Sequence, residues 1–189
     1  MLGSSETTKD RIRSEAQRLF VERGVDAVSV RDIARAVGMS AANLYAHYKS
    51  RDELVADLFV TGLAEYGRRL SEAAKTPGDV RPRVEAMVRL ICLLHSEDEI
   101  RFRFLLLTQH RNLSGIDRNA DSNPVEVVQR TISAAMKAGE IPAGDPALIA
   151  AAIVGIVIQA ATFHVYGRID RSLSEMSDEI VALCLRVLP

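Results

Sequence analysis

Between Arg31 and Arg51 the chain gathers hydrogen-bonding and charged side chains around a few small ones: Arg31, then Ser40, Ala41, Ala42 and Asn43, then Tyr45, His47, Lys49 and Arg51. A carboxamide such as Asn43 can pair bidentately with adenine, alanine methyls can meet thymine methyls, and each good bidentate pair discriminates by about 1 to 3 kcal/mol. Arg31 can reach guanine or a phosphate. Tyr45, His47, Lys49 and Arg51 cluster where a phosphate backbone would run, and a helix N-terminus at Arg51 would add its free N–H groups to a phosphate. The chemistry implied is the reading of double-stranded DNA. An i, i+2 set such as Tyr45, His47 and Lys49 also arises at an ordinary solvated helix end, so these residues need a frame that presents them.

That frame is legible in "VSVRDIARAVGMSAANLYAHYKSRDEL", Val28 to Leu54. Ser29 with Asp32 three residues on starts a short helix that buries Val30, Ile33, Ala34 and Val37 and stops at Gly38. Ser40 caps a second short helix whose inward anchors are Leu44 and Tyr48. Two short helices joined by a tight turn containing glycine make a helix-turn-helix, in which the first braces the second so that its N-terminal residues enter a major groove. A preceding helix from the Thr7 and Asp10 capping pair carries Ile12, Ala16, Leu19 and Phe20 to an αL stop at Gly24. A following helix opens with the Ser50 and Glu53 capping box and carries Leu54, Leu58, Tyr66 and Leu70.

Beyond Pro77 the amphipathic pieces run from about Pro82 to His95, Asp98 to Gln109, Pro124 to Ala138, Pro146 to Tyr166 and Ser174 to Leu188. The polar stretch His110 to Asn123 is expected to be disordered. No segment alternates with period two, so the fold class expected is all-α, with about nine helices. An N-terminal three-helix unit is expected over residues 1–54 and a larger helical body over 55–189. With 48% hydrophobic residues, 5% aromatics and no Trp, the core must be aliphatic. The net charge of -1 excludes a globally basic surface. Residues Met1 to Leu54 hold nine Lys and Arg against eight Asp and Glu, so DNA affinity would rest on placement, with Asp10, Glu15 and Glu22 facing away.

Catalysis finds little support. Cys92 and His95 share one apolar helix face without an orienting acid, and no HExxH, GxSxG, P-loop or dinucleotide fingerprint occurs. Cys92 and Cys184 read as core thiols, and neither a metal nor a cofactor is expected. The N-terminal "MLGSSETTKDRIR" has no apolar h-region, which makes the cytoplasm the expected compartment. "PALIAAAIVGIVIQAATF" approaches membrane-spanning length, but its Ala and Gly content and Gln159 favour a buried helix over a membrane segment.

The Val28 to Leu54 string resembles the tetracycline-repressor-like (TetR/AcrR) family of bacterial regulators through Ile33, Ala34, Gly38, Ser40, Leu44, Tyr45, His47, Tyr48, Ser50 and Leu54, and "AQRLFVERGVDAVSV" is similar to the family's first helix. The family often has Gly or Pro near Ala42 and usually Lys where Arg51 stands, so no operator sequence can be carried over. The resemblance covers about the first third of the chain. It implies a non-enzymatic transcriptional repressor that binds a palindromic operator as a homodimer and is released by a small effector. The alternative is a helical small-molecule-binding module without DNA function.

The Pro146 helix offers a dimer face in the small-residue stripe Ala151, Gly155, Ile158 and Thr162, with Ile180, Leu183 and Val187 added by the last helix. In the family's layout Leu63, Met87, Ile91, His95, Phe102, Leu105, Gln109, Met136, Phe163 and His164 would line a cavity for a small, mostly apolar effector. A Met or Phe stripe at helical spacing is equally natural as ordinary core.

Overall fold

The fold was obtained as a computed structural model, which describes residues 7–112 and 123–189. Among these residues the chain forms α1 (Thr8–Arg23), a 3-10 turn (Val25–Ala27), α2 (Val30–Val37), α3 (Ala41–His47), α4 (Arg51–Ala73), α5 (Val80–Glu97), α6 (Glu99–Asn112), α7 (Pro124–Ala138), α8 (Pro146–Val165) and α9 (Ser177–Arg186). No strand occurs among the described residues, as the absence of period-two alternation requires. The expected disorder from His110 to Asn123 falls mainly on residues 113–122, which lie outside the described residues; α6 itself continues to Asn112.

Local capping explains the N-terminal boundaries. Thr7 Oγ1 accepts from the Asp10 amide at 3.1 Å while the Asp10 carboxylate accepts from the Thr7 amide at 3.2 Å. Ser29 and Asp32 repeat this reciprocal box at 3.2 and 2.9 Å. Each pair satisfies two N–H groups that a helix start leaves orphaned. At α4 the expected box is open on one side. Ser50 Oγ accepts from the Glu53 amide at 3.0 Å, but the Glu53 carboxylate takes the amide of Lys49, at 2.6 Å, instead of that of Ser50.

The glycine stops divide. Gly38 adopts the expected αL conformation, φ 75° and ψ 36°, at the corner between α2 and α3. Gly24 has φ 85° but ψ 146°, so the chain leaves α1 extended and enters the 3-10 turn rather than closing an αL cap. Further on, α5 begins at Val80 because Asp79 caps it through the Arg81 amide, placing Pro82 inside its first turn. The last helix is shorter than its pattern suggests, since Ser172 and Glu175 hold a separate turn ahead of it.

Helix α5 packs along α9, α7 along α8, and α4 touches α5, α6 and α7, so α4 is the central strut. Its contact with α6 is close because residue 62 is glycine: a Cβ there would stand 3.2 Å from Leu105 Cδ2. Helix α1 lies on both α2 and α6, where the rings of Phe20 and Phe104, both buried, stack at 6.0 Å. The helix-turn-helix is thereby seated on the body through α1 and α4. Cys92 and Cys184 are buried free thiols, and burial raises both, Cys184 to about 12.

Helix α8 departs from the expectation of a buried helix. Only Ala150, Ile153, Val157 and Ala161 are buried, while Leu148 is 69% exposed and Tyr166, the C-cap, 65%. Among the described residues it is the one helix long and apolar enough to cross a membrane.

Candidate nucleic-acid interface and effector cavity

Helix α3 is held from three sides. Ser40 Oγ caps it through the Asn43 amide at 3.2 Å, and Leu44, its one buried residue, is fully covered. Burying a leucine contributes roughly 1.5 to 3 kcal/mol, enough to seat a helix too short to persist alone. At its far end Tyr48 donates its hydroxyl to Asp57 Oδ2 of α4 at 2.7 Å. Arg13 of α1 donates to the same oxygen through Nη2 at 2.8 Å and Nε at 3.1 Å. One half-buried carboxylate therefore joins α1, α4 and the end of the recognition helix. Burial would raise the Asp57 carboxyl, but the hydrogen bonds from Tyr48 and Arg13 outweigh it and hold the group below its ordinary value. The Tyr48 hydroxyl is pushed up to about 12, by burial first and then by Asp57. Arg11 of α1 closes the frame by donating to the Val37 carbonyl at 2.9 Å.

From this frame Ala42, Asn43, Tyr45, His47 and Lys49 project to solvent, as do Arg31 and Ser40, whereas Ala41 is half-buried against the core. Arg51 is placed differently from the expected phosphate contact. Its guanidinium donates to the carbonyls of Val25 at 3.2 Å and Asp26 at 3.3 Å, and pairs with Asp52 at 3.2 Å. It fastens the 3-10 turn to the start of α4. The neighbouring acids are also engaged locally: Arg18 bridges Glu15 and Glu22 at 2.8 and 2.9 Å, and Asp10 sits in the α1 cap.

In the body, α4 to α8 enclose a cavity of about 160 Å³ with almost wholly apolar walls. Leu63, Met87, Ile91, Phe102, Leu105 and Gln109, all named from the sequence, line it. Phe59, Tyr66, Val84 and Val157 also line it and were read only as core or not singled out, because cavity and core residues share one helical period. Ile158, assigned to the dimer stripe, faces this cavity. Met136, Phe163, His95 and His164 stand outside its walls. Met136 packs near Gly144, and Phe163 is 39% exposed with Arg168 over its ring at 5.7 Å. His95 and His164 meet each other edge-on at 5.1 Å. Burial, with His164 alongside, holds the His95 imidazole below its ordinary value.

Of the remaining stripe, Ala151 and Gly155 are exposed, Thr162 and Val187 half-buried, Leu183 48% exposed, and Ile180 is buried in the protomer's own core. A Cβ at Gly155 would meet nothing within 4 Å.

The architecture is two-part: a helix-turn-helix seated through α1 and α4 on a larger helical body with an apolar cavity. Residues 12–58 match the family model for bacterial regulatory proteins of the tetR family. It is 32% identical over 76 residues to the HTH-type transcriptional regulator AcrR of Shigella flexneri, covering 40% of this chain and 35% of that one. It is 36% identical over 73 residues to the HTH-type transcriptional repressor KstR2 of Rhodococcus jostii, covering 39% and 36%. The chain thus spans about a third of the length of the curated relatives it matches. The body is related by fold: the transcriptional regulator FadR from Bacillus subtilis, solved in complex with stearoyl-CoA, superposes with a TM-score of 0.77 over 95% of this chain and 98% of that one at 17% identity.

Proposed function

We propose that this protein is a transcriptional repressor that binds a palindromic DNA operator as a homodimer and is released by a small, mostly apolar effector. The observation that carries this reading is α3, a helix with one buried residue that presents Asn43, Tyr45, His47 and Lys49 outward from a three-sided brace. Such a helix is positioned rigidly while its polar side chains remain available to a major groove. The names of the AcrR and KstR2 relatives support regulation through this unit.

The division at residues 54 and 55 falls within α4, whose first turn belongs to the braced unit while Phe59 to Leu70 wall the cavity. One rigid helix thus serves both parts, and an effector that tilts α4 would change the spacing of two recognition helices. A coupling of about 1 to 3 kcal/mol gives a 5- to 150-fold change in operator affinity. The exposed face of α8, with Ala151 and Gly155, and Leu183 of α9 supply the two-fold contact, which also accounts for the apolar surface of α8 in a protein of the cytoplasm without a membrane. The cavity volume suits a body about the size of an aromatic ring, and a long acyl chain such as that of the FadR complex would require its walls to part. Enzymatic turnover has no place in this reading.

The test is selection of bound sequences from a random duplex library across a salt series. An enriched palindrome whose affinity falls as salt rises is expected. Binding without enrichment would leave a ligand module with no operator.

A further inference from the structure

Tyr66 Oη and both ring nitrogens of His95 are buried without a hydrogen-bond partner among the described residues, the two side chains being 6% and 4% exposed. They flank one ring. Phe102 of α6 stands with its centroid 5.2 Å from that of His95, edge-on, and 6.3 Å from that of Tyr66. Phe102 and Tyr66 both belong to the cavity wall, so His95 lies one aromatic ring behind it. On its other side His95 meets His164, whose Nδ1 is at 3.1 Å from the Ile169 carbonyl; the charged groups acting on it are Glu99 and Arg103 of α6. A buried polar group without a partner forfeits its hydration with no return, and a phenylalanine or leucine in either place would avoid that loss.

We propose that Tyr66 and His95 form the polar end of the effector site, reached when the Phe102 ring turns aside, and that the effector is an apolar molecule carrying one uncharged hydroxyl. This rests on the reading of the cavity as the effector site. A neutral imidazole offers one donor and one acceptor and a phenol a further donor, and a hydroxyl, which both donates and accepts, can satisfy this set. Burial, with His164 alongside, favours that neutral form of His95. An ionised group would give up its hydration in a recess where the charges acting on His95, those of Glu99 and Arg103, oppose each other and pair with each other, at a heavy desolvation cost.

Toluene and p-cresol differ by one hydroxyl and are of the size the cavity takes, so the full chain is titrated with each by calorimetry, alone and as His95→Phe and Tyr66→Phe. In a purely apolar cavity the hydroxyl is a liability. The expected result is that p-cresol binds at least as tightly as toluene, that each variant lowers the cresol-to-toluene affinity ratio at least ten-fold, and that the His95 ring nitrogens shift in NMR spectra with p-cresol but not with toluene. Should a variant fail to fold, the wild-type affinity ratio and ring-nitrogen shifts decide. Toluene binding with cresol ten-fold weaker and silent ring nitrogens would overturn the polar end and leave the cavity reading intact. Binding of neither would overturn both.

Discussion

Asn43 is exposed on the first turn of α3, and its amide nitrogen is already committed to Ser40 Oγ, so its carboxamide is free of capping duty. Asn43→Ala therefore removes a base-reading group without touching the brace. The expected outcome is a loss of adenine preference worth about 1 to 3 kcal/mol at one operator position, with the dimer intact; an unchanged preference in a competition assay would refute the contact. Arg51 shows the limit of reading single residues. Its charge and its place at a helix start are visible in sequence, but the carbonyls of Val25 and Asp26 that occupy it lie 26 and 25 residues earlier. His95 is similar: the family's layout puts it on a cavity wall, and only the packed rings show that Phe102 intervenes.

Among the elements, α1, α3 and α4 meet at the Asp57 carboxylate, which accepts from Arg13 and Tyr48. Because the folded-state carboxyl lies below its unfolded value, its contribution is present above the unfolded value near 4 and is lost as pH falls through the folded one. Asp57→Asn is expected to lower stability by about 1 to 3 kcal/mol at neutral pH. It is also expected to flatten the acid limb below about pH 4, the range set by an ordinary carboxyl. Urea melts across pH check both, and an acid limb identical to wild type would remove Asp57 from the brace. The elements themselves were largely legible because caps are local. Thr7, Ser29, Ser40 and Ser50 each find their partner three residues on. Gly24 was misread for the complementary reason: a positive φ follows from glycine, but ψ is set by what the chain does next, here a turn held by Arg51.

At the scale of the molecule, the exposed face of α8 asks for a partner. Gly155 has open space where a side chain would go, so Gly155→Leu leaves the protomer's packing undisturbed and tests the interface alone. The expected result is a monomer by sedimentation with weak operator binding, since half-sites about 34 to 36 Å apart need two linked copies; a persistent dimer would remove α8 from the contact. The apolar stripe was readable from sequence, but whether it faced the chain's own core was not, since inward Ile153 and outward Leu148 have the same chemistry. A last consequence follows from the single buried residue of α3. Because Leu44 is the one residue of that helix that is buried, substitutions at Ala42, Asn43, Tyr45, Ala46 and His47 should each change stability by no more than about 0.5 kcal/mol. Duplicated copies of such a gene can drift to new target sequences while the protein stays folded, so divergence of specificity within a genome meets little resistance from the scaffold.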